Sequence, residues 1–410
     1  MTLDAQSGTM VTPVTAMRVT HIITRLIVGG AQENTLATVA GLRQIPGVEA
    51  YLISGPTTGP EGSMEHEARQ MMGEERFIAV PDLVRPVHLL KDLLALRKLE
   101  RILRAQNPDV VHTHSGKAGI LGRFAARRAR VPVIVHTIHG PSFGKFQSAP
   151  ANFIFRAAER SAAGNTNHFI VVADAMKEQY LAAGIGWPEQ YTKIFSGFNI
   201  EPFLAAHNDL QLRARLGIAR DDFVIGKIAR LFKLKGHDDL FAVAPDLVRQ
   251  NPKIKFLLIG DGPWRGRFEH LAKSQGLDAH FIFTGLVPPA DVPKFTGIMD
   301  ALVHLSSREG LPRALPQALA GGKPVVAYDC DGAREVCREA ETGFLIRPGD
   351  VSGLKNALLQ LAADPLLREK LGQHGREFVQ NNFAVEKMVQ SIYNLYMKLA
   401  ANRQQPVNKL

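Results

Sequence analysis

One stretch of the chain, SSREGLPRALPQALAGGKPVV at 306–326, constrains the fold most, because it predicts two strands joined by a turn and a helix. The apolar run DALVHL at 300–305 leads into it and is typical of a buried strand. Helix formers follow at Arg313–Ala320 and end at Gly321-Gly322, which is a helix stop signal. The run KPVVA at 323–327 then begins the next strand. This succession is typical of an α/β protein.

The turn before this helix predicts a binding site. Pro312 suits a first helical turn, and the free amides there, with the positive end of the helix dipole, favour an anion or a ring of hydroxyls. Glu309 precedes the helix and can accept hydrogen bonds from such hydroxyls. Gln317 lies eight residues further on, a little over two turns, so we expect it on the same side. Taken alone, Glu309 would also fit an exposed acid that the helix dipole favours.

The same alternation of apolar runs and helical segments occupies both halves of the chain. Its 410 residues suit two domains of about 200 residues each. We therefore predict an α/β fold with two doubly wound sheets. Strands are expected at 19–24, 49–55, 76–80, 108–114, 133–139, 168–173 and 191–196 in the first half, and at 223–228, 254–259, 281–284, 301–305 and 343–346 in the second.

Candidate ligand-binding residues lie where predicted strands of the first half end, because ligands of parallel α/β sheets bind at the carboxyl ends of strands. His112 and His114 end one strand, and His136 and His139 end the next. All four are candidates by position, and we interpret His112 and His136 as structural. Since no carboxylate or cysteine lies at ligand spacing from them, we predict no metal site. Gly30, in a turn before a helix, is placed to let a ligand approach the backbone.

Three motifs together resemble those of the retaining GT-B glycosyltransferases of family 4. They are EGLP with AGGKPVV within 309–326, RL-x3-KG at 230–236 and HTIHG at 136–140, and the resemblance covers most of the chain. It implies two Rossmann-like doubly wound domains that face a central cleft, with a C-terminal helix, here 384–400, that crosses back to the first domain. The family's donor-sugar signature is E-x7-E, and this chain departs from it because Gln317 replaces the second acid.

The resemblance implies a role for each matching residue. Glu309 would hold the donor sugar and Gln317 the ribose, where an amide can hydrogen-bond a hydroxyl but brings no negative charge. Arg230 and Lys235 would grip the donor diphosphate, because fixed cations stabilise the charge that develops as a diphosphate leaves. The implied catalytic residues are Glu309, His139, Arg230 and Lys235. The implied donor-binding residues are Gly30, Arg230, Lys235, Gly262, Glu309, Gly310, Leu311, Pro312 and Gln317.

The implied activity is transfer of a sugar, with retention, from a UDP- or GDP-sugar to a glycan or lipid-linked acceptor. The sugar nucleotide is a co-substrate, and we predict no cofactor. The two cations would remove the need for a metal ion. The expected organisation is a disordered tail at 1–17, an acceptor domain at 18–198, a nucleotide-sugar domain at 199–382, and a crossover helix with a tail at 383–410.

Basic side chains are concentrated at 97–130, within a chain whose net charge is +10. Such a stretch can contact anionic lipid head groups, and since the sequence contains no nucleic-acid-binding module we predict no nucleic-acid partner. The helix predicted at Pro86–Gln106 has leucines at helical spacing, which we expect mostly to face the core: Leu89, Leu90, Leu93, Leu94 and Leu96. The basic residues are Arg97, Lys98, Arg101, Arg104, Lys117, Arg123, Arg127, Arg128 and Arg130, against Glu100 and Asp109.

The location expected from the sequence is the cytoplasm, at the inner face of the membrane. The N-terminus has neither the basic start nor the apolar core of a secretory signal. No stretch approaches the roughly 18 apolar residues of a spanning helix. Only Cys330 and Cys337 are present, which gives no disulfide framework.

Two other functions fit parts of the sequence. The first is a sugar-nucleotide-binding protein of the same fold that lacks catalysis, which Gln317 suggests. The second is an NAD(P)-dependent oxidoreductase, because Gly260-x-Gly262-x-x-x-Gly266 follows a predicted strand. A single glycine fingerprint is a weak signal, however, and no acid closes the next strand, FIFTG at 281–285, where a ribose ligand would belong.

Overall fold

The computed structural model describes residues 16–59, 62–144 and 146–404, with side chains to residue 402. Residues 1–15 of the predicted N-terminal tail and 405–410 of the predicted C-terminal tail lie outside the described residues. The chain divides into two compact units. The first comprises 1–136, 164–168 and 392–410, and the second comprises 137–163 and 169–391. The domain boundaries expected from the sequence stay predictions.

Strands and helices alternate along both halves of the described chain. The strands are β1 (Met17–Ile23), β2 (Val48–Ser54), β3 (Phe77–Ala79), β4 (Val110–His114), β5 (Val133–Ile138), β6 (His168–Val171), β7 (Tyr191–Lys193), β8 (Phe223–Ile228), β9 (Ile254–Ile259), β10 (Phe281–Gly285), β11 (Ala301–His304), β12 (Val325–Tyr328) and β13 (Gly343–Ile346). The helices are α1 (Gly30–Leu42), α2 (Glu65–Met72), α3 (Leu89–Gln106), α4 (Gly116–Arg128), α5 (Ala149–Ala163), α6 (Asp174–Ala182), α7 (Glu201–Leu204), α8 (Leu210–Arg215), α9 (His237–Gln250), α10 (Arg265–Ser274), α11 (Val292–Gly297), α12 (Ala314–Ala320), α13 (Val351–Ala363), α14 (Pro365–Asn382) and α15 (Val385–Gln404).

The first sheet has seven strands in the order β3-β2-β1-β4-β5-β6-β7. Strand β1 pairs in parallel with both β2 and β4, so the strand order reverses beside it. Such a reversal is the position where doubly wound sheets bind ligands. The same register sets His21 of β1 directly opposite His112 of β4.

The second sheet has six strands in the order β10-β9-β8-β11-β12-β13. Strand β8 pairs in parallel with β9 and with β11, which again makes a reversal point. The loops that follow β8 and β11 therefore leave the sheet side by side. The prediction of two doubly wound α/β sheets is confirmed.

The last helix, α15, contributes to both units. Its residues up to Ser391 belong to the second unit and those from Ile392 onward belong to the first. Its buried residues include Met388, Ile392, Leu395 and Tyr396. This agrees with the expected C-terminal helix that returns to the first domain.

Helix α3 corrects one expectation. Its buried face consists of Ala95, Leu99 and Leu103, whereas Leu89, Leu90, Leu93 and Leu94 are exposed. The prediction that the leucines of this helix face the core was wrong for these four, whereas Leu96 is partly buried and packs against the core. Helical spacing shows which residues share a face but not which face the neighbouring elements cover. Within the described residues, none of the helices combines the length and the hydropathy that a membrane-spanning segment requires.

Fewer basic side chains of the stretch 97–130 are exposed than its sequence suggests. Lys117 is partly buried and ion-paired with Asp92. Arg123 is buried and donates to the Gly119 carbonyl oxygen at 2.7 Å. The other seven basic side chains are exposed: Arg97, Lys98, Arg101, Arg104, Arg127, Arg128 and Arg130.

Candidate functional site

A half-buried ion pair joins two of the motifs that the sequence singles out. The Nζ atom of Lys235, in the turn after β8, lies 2.5 Å from Oε1 of Glu309, in the turn after β11. The same Glu309 oxygen lies 3.5 Å from Nε2 of His304, the last residue of β11. The loops after two neighbouring strands thus bring a lysine and a carboxylate into direct contact.

The Glu309 carboxyl is ionised in this setting. Burial alone would raise its pKa, but hydrogen bonding to His304 and the charge of Lys235 lower the pKa to about 2. Burial lowers the pKa of His304, so the lysine, and not the imidazole, supplies the positive charge. The arrangement therefore holds one negative and one positive group, each able to exchange its partner for a ligand.

Backbone contacts fix the position of Lys235. The Leu234 carbonyl oxygen accepts hydrogen bonds from the Ser307 amide at 3.0 Å and from the Ser306 hydroxyl at 3.2 Å. Gly236 has a φ of +63°, and a Cβ there would lie 2.1 Å from the Leu305 carbonyl oxygen. Only glycine fits such a close approach without displacing the backbone. The glycine of the KG motif thus holds the lysine turn against the end of β11.

The backbone of the EGLP turn is held from its other side. The Glu309 amide donates to Oδ2 of Asp331 at 2.8 Å, and the Asp331 Oδ1 accepts from the Gln179 side chain at 2.7 Å. The Gly310 carbonyl oxygen accepts from the Gly332 amide at 3.0 Å. Asp331 itself has a φ of +48°, which a non-glycine residue rarely adopts. Asp331 was not among the residues that the sequence indicated.

His139 lies against the same turn. A Cβ on Gly310 would lie 1.7 Å from the His139 carbonyl oxygen, so the two backbones are in direct contact. Burial lowers the pKa of His139 to about 4, which leaves its ring neutral at pH 7 and able to donate or accept a hydrogen bond. The structure therefore brings together Lys235, Glu309, Gly310 and His139, four of the predicted site residues.

The remaining residues of this motif lie in and beside α12. Leu311 and Pro312 are buried, and their side chains pack into the protein. Gln317 is partly exposed, and among the described residues no protein group hydrogen-bonds its side-chain amide. The amide is thus available to a ligand.

Arg230 and Gly262 lie on two loops that are packed together. Arg230 is exposed, and its guanidinium carbon lies 5.4 Å from the ring centroid of Phe232. A Cβ on Gly262 would lie 2.4 Å from the Leu231 carbonyl oxygen, to which the Trp264 amide donates at 3.1 Å. Close backbone packing therefore accounts for Gly262, and a dinucleotide fingerprint is not needed to explain it. Gly30 is the first residue of α1, in the first unit.

Two polar residues of this region were missed from the sequence. Lys227 is buried near the end of β8, and burial, followed by the charge of Lys235, lowers its pKa to about 7. His304 ends the neighbouring strand β11 and contacts Glu309. One sequence signal could have identified them: each is a polar or charged residue near the carboxyl end of an otherwise apolar strand, FVIGKI for Lys227 and ALVH for His304.

The loop that follows β5 is attached to the same motif. Arg308 donates to the Pro141 carbonyl oxygen at 3.1 Å, and its guanidinium carbon lies 3.2 Å from the ring centroid of Phe146. Contacts of this kind between a cation and an aromatic face are attractive. Arg308, the residue before Glu309, thus connects the EGLP turn to the loop after β5.

Three histidines form a buried cluster in the first unit. Nδ1 of His21 lies 2.9 Å from Nε2 of His114, and the Tyr396 hydroxyl lies 2.5 Å from Nδ1 of His112 and 3.5 Å from Nε2 of His21. One nitrogen from each ring lies within 4.8 Å of the others, a spacing that suits a metal ion. His21 precedes His112 by 91 residues, and its proximity was not foreseen when no metal site was predicted from the sequence. Hydrogen bonding among the rings and Tyr396 also accounts for the cluster.

His136, interpreted from the sequence as structural, is buried in β5. Its Nδ1 lies 2.9 Å from the Thr113 hydroxyl. A Cβ on Gly119 would lie 2.5 Å from its ring, so the helix α4 packs directly on this imidazole. These contacts agree with a structural role.

Two family models match the chain, one in each half. The family described as "Glycosyl transferases group 1" matches residues 208–378, and the "Glycosyl transferase 4-like domain" matches residues 29–194. The first match includes Arg230, Lys235, Glu309 and Gln317, and the second includes Gly30 and His139. The two matches together cover most of the chain.

Curated relatives and solved structures agree with these matches. The chain is 30% identical over 332 residues to the UDP-Gal:alpha-D-GlcNAc-diphosphoundecaprenol alpha-1,3-galactosyltransferase of Escherichia coli, covering 80% of this chain and 85% of that protein. It is 25% identical over 329 residues to the capsular polysaccharide biosynthesis glycosyltransferase CapM of Staphylococcus aureus, covering 77% and 84%. The crystal structure of Anabaena Alr3699/HepE in complex with UDP matches with a TM-score of 0.79 at 22% identity, covering 93% and 100%.

Proposed function

Because the chain belongs to the group 1 glycosyltransferases and has their GT-B fold, we propose that it transfers a sugar from a UDP-sugar to a lipid-linked glycan, with retention of the anomeric configuration. The name of the Escherichia coli relative gives a UDP-sugar as donor and a diphosphoundecaprenol-linked sugar as acceptor. The Anabaena structure contains UDP. Both support the uridine nucleotide over the guanosine nucleotide.

The observation that carries this proposal is the ion pair between Lys235 and Glu309. In the free protein each group neutralises the other at 2.5 Å. A bound nucleotide sugar offers both of them better partners, since its diphosphate is anionic and its sugar ring carries hydroxyls. Lys235 then binds the diphosphate, and Glu309 accepts hydrogen bonds from the sugar hydroxyls. Exposed Arg230, at the start of the same turn, adds a second cation.

The reaction is a substitution at the anomeric carbon. The bond between that carbon and the β-phosphate oxygen breaks, and its electron pair stays on the diphosphate. The acceptor hydroxyl oxygen forms the new bond on the same face, and its proton passes to the departing phosphate oxygen. Lys235 and Arg230 stabilise the negative charge that grows on the diphosphate, which is worth more in the transition state than in the ground state.

Metal independence follows from the same two cations. In many transferases a divalent ion neutralises the leaving diphosphate. Here Lys235 and Arg230 supply that charge from the protein itself. Addition of a strong chelator should therefore leave the turnover unchanged.

The identity of the acceptor and the cellular site of the reaction are also part of this proposal. We assign a lipid-linked glycan as acceptor and the synthesis of a polysaccharide as the context, which the names of the Escherichia coli and Staphylococcus aureus relatives support. Such an acceptor places the enzyme at a membrane surface. The exposed basic residues of 97–130 are suited to anionic head groups there. The expected cytoplasmic location stays a prediction.

The direct test is nucleotide release from a panel of UDP- and GDP-sugars, with polyprenyl-diphosphate-linked sugars as acceptors. We expect acceptor-dependent release of UDP and a product whose anomeric configuration, read by NMR, equals that of the donor. Release of GDP alone would overturn the choice of nucleotide. An inverted product would overturn the proposed same-face substitution.

A second candidate is a sugar-nucleotide-binding protein without catalysis, and one observation favours it. Gln317 stands where the family's second acid is expected, so the site lacks one negative charge. Tight binding of UDP-sugars, measured by calorimetry, without turnover on any acceptor of the panel would favour this candidate.

A further inference from the structure

An apolar surface lies at the start of α3, in the first unit. The side chains of Val87, Leu89 and Leu90 are 71%, 87% and 63% exposed, and those of Leu93 and Leu94 are each 42% exposed. Single exposed apolar residues are common, but five large ones within eight positions are not. A contiguous patch of this kind marks an interaction surface.

These leucines share one face of the helix with basic residues. Leu90, Leu93 and Leu94 lie opposite the buried Ala95, Leu99 and Leu103. At 3.6 residues per turn, the same outer face continues through exposed basic side chains: Arg97, Arg101 and Arg104. We call this the outer face of α3. Its first half is apolar and its second half is cationic.

The acids of this helix offset only part of the positive charge of the outer face. Asp92 is ion-paired with Lys117. Glu100 is half-buried, 2.7 Å from Arg104 and 3.9 Å from Arg128. Exposed Arg127, Arg128 and Arg130, at and just beyond the end of α4, add further charge, and the Arg104 guanidinium donates to the Arg128 carbonyl oxygen at 3.3 Å. The surface is therefore basic beside its apolar half.

We propose that the outer face of α3 docks on a bilayer that contains anionic phospholipids. Leu89, Leu90, Leu93 and Leu94 insert at the boundary between head groups and acyl chains. The arginines of the second half bind the phosphates of the head groups. Amphipathic helices with apolar and Lys/Arg-rich portions bind the interface in this way, by burial of apolar area and by attraction to anionic lipids.

A second copy of the chain is a poorer occupant of this surface. A two-fold contact would bring the same face of both copies together. Depending on where the axis lies, the arginine half of each copy would meet the arginines or the leucines of the other copy, or would stay uncovered, and none of these contacts would neutralise its charge. An anionic bilayer satisfies both halves of the face at once. The docking surface rests on the proposed function, since a lipid-linked acceptor lies in a membrane. The binding test requires neither donor nor acceptor, so the docking proposal and the transfer proposal can each fail without the other.

The test is flotation of the full chain with vesicles of phosphatidylcholine, alone or mixed with phosphatidylglycerol. We expect binding to the mixed vesicles that weakens as salt is added. The triple variant Leu90→Ser, Leu93→Ser, Leu94→Ser should bind about tenfold more weakly or worse, since each leucine contributes its buried area. A control variant, Leu286→Ser with Leu366→Ser, removes two leucines elsewhere that are even more exposed and should bind as the parent does.

A charge variant tests the other half of the face. Arg97→Gln with Arg101→Gln should reduce binding to the mixed vesicles and flatten its salt dependence, whereas Arg215→Gln with Arg220→Gln should change neither. Unchanged binding by the serine triple variant, or no binding by the parent chain, overturns the proposal. If the serine variant is instead a smaller species than the parent in sedimentation velocity, the face joins two copies and the proposal also fails.

Discussion

Gly310 and His139 are in backbone contact, so close that a Cβ on Gly310 would lie 1.7 Å from the His139 carbonyl oxygen. The glycine of the EGLP turn is therefore required by packing. We predict that Gly310→Ala displaces the turn, costs about 1–3 kcal/mol of stability or more, and lowers turnover because Glu309 moves with it. Thermal unfolding and UDP release measure the two effects.

A matched glycine provides the control for that substitution. Gly266, inside α10, has no heavy atom within 4 Å of its added Cβ. Gly266→Ala should be neutral or stabilise by about 0.5–1 kcal/mol, because alanine loses less backbone entropy in a helix. Equal effects of the two substitutions would show that the contact with His139 is not what the turn depends on.

Lys235 should be required for transfer while its neighbour on the same loop is not. Lys235→Ala removes the cation that we assign to the leaving diphosphate, so we expect a loss of about 100-fold or more in kcat. Lys233 is exposed on the same turn, and Lys233→Ala should leave kcat within a factor of about two. UDP release at saturating donor is the measurement. Normal turnover by Lys235→Ala would contradict the role of Lys235 at the leaving diphosphate.

Much of this architecture could be predicted from the sequence, since apolar strands and helix signals are local. The two sheets were predicted in that way. The exposure of Leu90 and the burial of Arg123 could not, because both depend on which neighbours cover a helix face. The proximity of His21 to His114 likewise depends on the pairing of distant strands. The sequence shows Lys227 as a charged residue in an apolar strand, but it does not show that the side chain is buried.

Lys227 should make stability depend on pH. Burial lowers its pKa to about 7, against 10.5 for an exposed lysine, so between these values the unfolded chain binds the extra proton. The free energy of unfolding should therefore rise as the pH rises from about 7 towards 10.5, by up to about 5 kcal/mol from this group. Thermal unfolding across that range, compared with Lys227→Met, isolates the effect.

The comparison between the parent and Lys227→Met, which lacks the buried amine, tests this prediction. Lys227→Met should be more stable than the parent near pH 7, and the difference should shrink as the pH rises. Lys273→Met, at an exposed lysine of α10, should follow the parent at every pH. A constant difference between the parent and Lys227→Met across the range would contradict a buried, weakly basic amine.

Tyr396 should be needed for stability through its hydroxyl. That hydroxyl lies 2.5 Å from Nδ1 of His112, and both groups are buried. Tyr396→Phe leaves a buried ring nitrogen without this partner, which should cost about 1–3 kcal/mol. Tyr393→Phe, one turn earlier on α15 and only partly buried, should change the unfolding midpoint little. Similar midpoints for the two variants would mean that the histidine cluster does not depend on the phenol.

Gln317→Glu tests the departure from the family signature. The amide is available to a ligand, and we assign it to the ribose of the nucleotide. A carboxylate accepts hydrogen bonds from two ribose hydroxyls more strongly than an amide oxygen does, so the Kd of UDP should fall by about tenfold. Gln373→Glu, at an exposed position of α14, controls for the added charge. Calorimetric titration with UDP decides the question: an unchanged Kd at Gln317→Glu, or an equal fall at Gln373→Glu, would place the ribose elsewhere.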